Sequence, residues 1–510
     1  MPFLICSNSS KIAIANLGEF FYPKNSAKNV LFQFWSDMKF IGRREELNSL
    51  KSLFYKKSAS LVVIRGRRRI GKSRLALEFS KQFSRAYILS GIPPVEGLSA
   101  AMQREEFLRQ LQENKLPVYR SDNWGDLFFD LAKACATGRV LLVLDEITWM
   151  GSKDPTFLSQ LKNAWDLHFK KNPELIMIIS GSNSAWIEKN ILSSTGFFGR
   201  ISSRMTLGEL PLKDCNAFWS DWPGIIDPYE KFKILSVTGG VPRYLEELRP
   251  NLSAEGNLLH LCFDAEGLLF REFDQIFHDL FLKKGPFYKE IILCLIEQQL
   301  SMSELALKLD RSKGGDLSEA LAEMVQAGFL ARDFTWSIGS KKKSATSRYR
   351  VKDNYFRFYL KYIFPNKEQI EAGKIKKLPS GWFSILGFQF ENLVLNNGDA
   401  VARLLNISLD EIVFSGPYLQ TARARRKGCQ IDYLIQTRFN SLYLCEVKFK
   451  QGLIGMEIID EIKGKLDALK LPKGYSCRPI LIHVNGVNEE VIDSGFFANI
   501  IDFSELLIAD

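Results

Sequence analysis

Residues 66–73 read Gly66-Arg67-Arg68-Arg69-Ile70-Gly71-Lys72-Ser73, and no other stretch of this chain constrains its fold as tightly. A GxxxxGK[ST] turn makes physical sense between a buried strand and the start of a helix. Both are present: the β-branched run at 61–64 (LVVI) precedes it, and an amphipathic stretch from Lys72 to about Phe83 follows. The glycines let backbone N–H groups close around phosphate oxygens, and the helix N-terminus adds the positive end of its dipole. Lys72 is then placed to reach β- and γ-phosphates, and the Ser73 hydroxyl to hold Mg²⁺.

Such a cradle needs acids at the end of a neighbouring buried strand. The run 139–146 (RVLLVLDE) supplies Asp145, expected on Mg²⁺, and Glu146, expected to polarise the water that attacks ATP. A third apolar run at 175–180 (LIMIIS) ends in the polar turn GSNS. Short apolar strands alternating with helices predict an α/β fold with a parallel sheet covered on both faces. At 510 residues, 46% hydrophobic and 25% charged, the chain has room for about three domains. Its net charge of +10 favours a polyanionic partner. Eight scattered cysteines without CxxC spacing read as reduced core thiols, and four histidines argue against structural zinc or a His-based triad. No apolar run approaches a membrane span and the first residues lack the form of a secretory signal, so a cytoplasmic protein without membrane contact is expected.

The order of FIGRREEL, GRRRIGKS, LLVLDE, IISGSNS, FFGR (197–200) and GGVPRYL (239–245) resembles the prokaryotic "archaeal ATPase" family of the AAA+/STAND group of P-loop ATPases. The resemblance implies that Ser182 or Asn183 senses the γ-phosphate. It also implies that Arg200 is an arginine finger or sensor, and that Pro242 and Arg243 sit on a helical lid. The cofactor-binding set would thus comprise Gly66 to Ser73, Asp145, Ser182, Asn183 and Arg243, with self-association through the ATPase part. The three loop arginines, Arg67, Arg68 and Arg69, are expected either in solvent or facing a nucleic-acid phosphate.

Downstream text divides the chain into an N-terminal extension (1–37), the ATPase core (38–208), a helical lid (209–284) and a winged helix-turn-helix (285–364). In the last, a recognition helix over 315–327 follows Lys313, and a basic ribbon carries Lys341, Lys342, Lys343, Arg348, Arg350 and Lys352. A polar, Pro-bounded linker (365–381) then leads to a module over 382–510. There, two neighbouring β-runs, 430–436 and 442–450, place Asp432 opposite Glu446-Val447-Lys448. Glu391 on the preceding helix offers a further ligand. Two carboxylates and a lysine suit Mg²⁺- or Mn²⁺-dependent phosphodiester hydrolysis, with Asp432, Glu446 and Glu391 on the metal and Lys448 orienting water. This acid-ExK layout in an α-β-β-β-α-β order resembles the PD-(D/E)xK restriction-endonuclease-like superfamily. The basic run Arg423, Arg425, Arg426 and Lys427 flanks it.

Three readings of function stand at this point. The first is an ATPase coupled to the binding and processing of nucleic acid, DNA rather than RNA. The second is a STAND-type nucleotide switch with a catalytically inactive nuclease-like scaffold. The third is a regulator that binds through the winged helix. The first 37 residues, which end in an aromatic piece containing Phe32, Phe34 and Trp35, are expected to be dispensable, with Met38 as the natural start. A chain begun at Met38 should therefore keep its melting temperature and ATPase activity. A fall of several degrees in melting temperature would show instead that the aromatic piece is buried.

Overall fold

Strands that bury both faces are rich in Val, Ile and Leu, and three such runs make the centre of the first sheet. The computed structural model describes residues 39–508 apart from 94, 96, 118, 282, 283, 313, 423–426 and 470. The expected N-terminal extension, Lys313, Arg423, Arg425 and Arg426 lie outside the described residues. Helix α1 (Arg44–Ser52) leads into β1 (Ser60–Arg65), the phosphate loop and α2 (Lys72–Ser80). Then follow β2 (Arg85–Ser90), α3 (Ala100–Glu113), α4 (Trp124–Ala134), β3 (Val140–Asp145), α5 (Phe157–Leu167), β4 (Leu175–Gly181) and β5 (Ile201–Thr206). All five strands are parallel, in the order β2-β3-β4-β1-β5. On one face Leu142, Leu144 and Met177 pack with Trp124, Phe128 and Phe157. This is the α/β fold with the parallel sheet typical of a P-loop ATPase. The carboxyl ends of β1, β3 and β4 meet on the side of residues 66–73.

Besides the single turns Leu212–Cys215 and Pro242–Leu245, three longer helices come next: α6 (Pro228–Thr238), α7 (Ala254–Phe263) and α8 (Leu268–Phe281). They are followed by α9 (Gly285–Leu295), the two-residue β6 (Leu300–Ser301), α10 (Met302–Lys308) and α11 (Asp316–Gln326). The hairpin β7 (Leu330–Ser337) and β8 (Lys342–Val351) completes a small antiparallel sheet in the order β6-β8-β7. Helix α11 packs against the turn at Ser184–Ile187 that follows β4. The face of α11 carries acids, and Glu319 and Glu323 both lie near Lys284. The outer face of α11, with Asp316, Ser318 and Glu319, stays exposed and is acidic rather than basic.

Helix α12 (Asn354–Phe358) and α13 (Leu386–Asn396) precede a second sheet. Its strands β9 (Ile412–Gln420), β10 (Cys429–Thr437), β11 (Ser441–Phe449), β12 (Ser476–Val484) and β13 (Asn499–Asp502) run in the order β13-β12-β11-β10-β9. Strands β9 to β11 form an antiparallel meander, and β12 and β13 join in parallel. Helix α14 (Glu457–Ala468) makes the crossover between β11 and β12. The segment read as a linker contains a helical turn at Lys367–Glu371 whose Ile370 is buried. The two halves share one core: Phe232 of α6 stands 5.3 Å from Phe390 of α13, and Phe390 stands 5.7 Å from Phe503. Residues Ile41–Asp510 accordingly form one unit. The seven described cysteines form no disulfide with one another. No helix among the described residues is long and apolar enough to cross a membrane.

A phosphate loop and a distant acid pocket

The phosphate loop turns where only glycine fits. A Cβ on Gly66 would stand 2.5 Å from the Leu207 carbonyl oxygen, and Gly71 has φ of 92° at the start of α2. Arg43, from the FIGRREEL segment, holds the loop from behind by donating to the carbonyls of Ile70 (3.1 Å) and Gly208 (2.5 Å). Lys72 Nζ donates to the carbonyls of Gly66 (2.9 Å) and Arg67 (3.1 Å) and lies 3.8 Å from Glu146. The Ser73 hydroxyl donates to Asp145 at 2.6 Å, and Ser180 donates to the other Asp145 oxygen at 2.6 Å. Glu146 sits in the left-handed region (φ 48°), a strained position for a residue with a side chain. Its carboxylate accepts from the backbone N–H and hydroxyl of Ser182, each at 2.9 Å. Burial pushes the Glu146 pKa up, against the pull of Lys72. Lys72, Ser73, Asp145, Glu146 and Ser182 thus converge at one end of the sheet.

Three other expected residues are not brought there. Asn183 caps the next turn, accepting from the Trp186 N–H at 2.9 Å. Arg200 makes a two-pronged pair with Asp166 of α5, at 2.9 and 2.7 Å. Arg243 pairs with Glu246 and Glu247, although the adjacent Pro242 stands where a Cβ on Gly71 would meet it at 4.0 Å. The loop arginines also depart from expectation, for Arg67 and Arg69 point into protein. Arg67, 6% exposed, pairs with Asp353, itself 1% exposed, and donates to the Tyr244 hydroxyl at 3.0 Å. Arg69 pairs with the fully buried Glu272 at 3.2 Å. Arg68 has its pKa lowered by burial and by neighbouring Arg69.

Asp353 begins a buried polar chain that leads away from the loop. Its carboxylate caps α12 by accepting from the Phe356 N–H at 3.0 Å. Asn354 and Gln389 exchange side-chain-to-backbone bonds (3.1 and 2.7 Å), and Asn392 donates to Asn354 at 3.0 Å. Arg357 donates to Gln389 at 3.1 Å, and Arg350 to Asp333 (2.7 Å) and Asn392. Gln389 and Asn392 flank Glu391 on α13.

Glu391 opens into the second site, a pocket of about 430 Å³ lined also by Asp432, Glu446, Lys448, Glu461 and Lys465. The meander brings Asp432 beside the Glu446 strand, where it accepts from the Val447 N–H at 3.0 Å. Lys448 lies 2.8 Å from Glu446 and 3.0 Å from Glu461, and Lys465 holds the other Glu446 oxygen. Burial and the nearby Asp432 push Glu391 up to about 8 and Glu446 up to about 7. Burial alone would lower Lys448, but the charge of Glu446 raises it. Among the described residues no three His, Cys, Asp or Glu side chains are grouped closely enough to hold a metal ion as they stand. Sequence reasoning missed Lys465 and Glu461, although their i,i+4 spacing puts them on one face of α14. It also missed Ser180, Asp353 and Glu272, which carry no local signal.

The ribbon lysines and arginines are partly spent on protein. Arg348 pairs with Glu304, Arg350 with Asp333, and Lys341 donates to the Arg438 carbonyl. An Asp353→Ala change should cost about 3–5 kcal/mol, because it strands a buried guanidinium and removes a helix cap. Chemical denaturation of the full chain checks this; a cost below about 1 kcal/mol would show that Tyr244 and Glu209 satisfy Arg67 alone.

Residues 39–167 match the family model of the AAA ATPase domain. An uncharacterized protein of Methanocaldococcus jannaschii is 26% identical over 426 residues, which is 81% of this chain and 88% of that one. Among solved structures, the Walker-type ATPase of Pyrococcus abyssi superposes with a TM-score of 0.47 at 15% identity, covering 63% of this chain and 96% of its own. The Aeropyrum pernix ORC2 protein superposes with a TM-score of 0.41 at 14% identity, covering 66% and 98%. The domain match lies over the loop and acids just described, so residues 39–167 are AAA ATPase-like and the chain is an ATPase.

Proposed function

We propose that this chain hydrolyses ATP at residues 66–73 and that its nucleotide state is coupled to a nuclease-like module that processes DNA. One observation carries the coupling: the buried chain from Arg67 through Asp353 to the residues that flank Glu391. In this reading Lys72 exchanges the Gly66 and Arg67 carbonyls for β- and γ-phosphate oxygens, which changes the bonding of the Arg67 backbone. Glu146, with its raised pKa, takes the proton of the water that attacks the γ-phosphorus, and the bond to the β-phosphate oxygen breaks. Ser73 and Asp145, already 2.6 Å apart, fit a Mg²⁺ site. Mg²⁺ bound there supplies charge neutralisation to the phosphates. Ser182 is placed beside Glu146 to sense the γ-phosphate, whereas Arg200 suits a neighbouring copy better than its own loop. Arg243, paired with acids on the lid, would have to change partners to reach nucleotide.

Residues 285–364 read as a winged helix and 382–510 as a PD-(D/E)xK-like module. The order of α13, β9, β10, β11, α14 and β12 supports the second reading. The raised pKa values of Glu391 and Glu446 favour a cation beside them, and Asp432, Glu446 and Glu391 would have to draw together to hold Mg²⁺ or Mn²⁺, since they are not grouped closely enough as they stand. Such an ion supplies polarisation of the scissile phosphate and of water. Lys448 orients that water, and Lys465 must release Glu446. The same lysine pair favours a second reading, a nucleotide switch on an inactive scaffold, since both cations already neutralise Glu446.

Lys72→Ala should abolish ATP binding or hydrolysis, and wild-type turnover would sink the assignment. Glu146→Gln should retain bound nucleotide without hydrolysing it; equal loss of both would remove its role as base. Asp432→Ala or Glu446→Ala should abolish divalent-dependent cleavage of linear or branched DNA while ATPase activity persists. If the wild type cuts under no metal or nucleotide condition, the inactive-scaffold reading replaces the first.

A further inference from the structure

The hairpin β7–β8 is anchored to the C-terminal sheet around Trp336. The Trp336 indole N–H donates to Gln436 at 2.7 Å, its ring stacks 5.3 Å from Phe414, and Gln436 in turn donates to the Ile338 carbonyl at 3.0 Å. Thr335 adds a bond to the Leu419 carbonyl at 3.1 Å. Beside this anchor the two surfaces separate into a groove of about 1000 Å³. One wall is β8 with Lys342, Lys343 and Thr346; the other includes Thr421 and Gln430. Glu391, Gln430 and Asp432 line both this groove and the acid pocket, so the two adjoin at these residues.

We propose that this groove binds a single strand of nucleic acid and delivers its phosphodiester backbone to the acid pocket. The inference rests on reading that pocket as a phosphodiester site, and it names the form of the substrate. Three observations carry it. First, Lys342 and Lys343 are exposed and line the groove beside the Trp336 anchor, which puts two cations within reach of a phosphate backbone there. Second, Phe388, 46% exposed, lines the groove with the Arg357 guanidinium 5.7 Å from its ring, an aromatic face on which a base can stack. Third, the alternative surface for a duplex is unfavourable. Helix α11 lies against Ser184–Ile187, and it carries Asp316, Glu319 and Glu323, which repel phosphates. A cavity near the top of the range of about 300–1,000 Å³ typical of enclosing sites takes a few nucleotides of flexible strand. A duplex needs an open face along its convex surface.

The test is anisotropy of a fluorescein-labelled oligonucleotide, as single-stranded DNA, single-stranded RNA and duplex DNA, with the full chain in EDTA so that no cleavage occurs. Either single strand should bind at least about tenfold more tightly than the duplex. Lys342→Glu combined with Lys343→Glu should weaken single-strand binding by about tenfold or more and reduce the salt slope by about 1.4, two contacts at roughly 0.7 each. Both side chains are exposed, and a thermal melt confirms that the variant folds; Lys342→Ala with Lys343→Ala should shift affinity in the same direction. Duplex binding as tight as that of either single strand, or unchanged binding in both double variants, would overturn the inference. Cleavage lost in Asp432→Ala with no groove dependence would leave the nuclease reading standing and remove this one. Groove-dependent binding without cleavage would do the reverse.

Discussion

An arginine in the phosphate loop is neutralised by an aspartate 286 residues further along the chain, and much else depends on that pair. Taking two charges out of water costs several kcal/mol per ion, repaid only when every remaining donor and acceptor is matched. Here most groups are matched, although the buried Arg67 Nε finds no partner among the described residues. Arg67 also meets the Tyr244 hydroxyl, and Asp353 also caps α12. The consequence is geometric. The loop that cradles phosphate cannot hold this shape unless the segment after β8 is in place, and that segment cannot shift without stranding a buried charge. Breaking such a pair costs more than its net worth, so the loop and the C-terminal half are tied more firmly than either needs for its own stability.

The apolar core adds to the same constraint. Phe232, Phe390 and Phe503 come from α6, from α13 with its Glu391, and from the turn Phe503–Leu507. Tyr229 stacks 5.1 Å from Phe449, next to Lys448. A module joined by a polar segment alone would be free to swing. One that shares aromatic packing with α6 responds instead to small shifts in that packing, because close-packed interiors transmit displacement. Under the proposed function, coupling therefore runs through discrete partner exchanges in a buried network rather than through a hinge.

What was legible in the sequence follows from burial. Strands β1, β3 and β4 are buried on both faces, and their apolar runs announce themselves; so does the loop between β1 and α2. The edge strands β2 and β5 are only partly buried, and Ile201–Thr206 is mostly polar, so no apolar run marks it. In the C-terminal half the meander and its acids were readable, because hairpin register places Asp432 beside Glu446. Lys465 was not, since its role depends on how α14 crosses the sheet. The loop arginines were misread for a related reason. Local sequence gives their charge, but their partners Asp353 and Glu272 lie some two hundred residues or more away, where only the fold can bring them.

The two sites are built alike in one respect. In each, the charged group with the chemical task is already satisfied from within: Lys72 by two loop carbonyls, Glu446 by two lysines. An unpaired buried charge would cost more than either fold element can supply, so an internal partner is the condition for placing such a group there at all. It also sets what a ligand must do. Phosphate oxygens have to compete with carbonyls for Lys72, and a cation has to compete with ammonium groups for Glu446. Competition of this kind makes each site sensitive to small displacements of its internal partner. At the loop that partner includes the backbone of Arg67, whose side chain begins the network ending beside Glu391. A change of partners at Lys72 is thus felt first by the residue best connected to the other site.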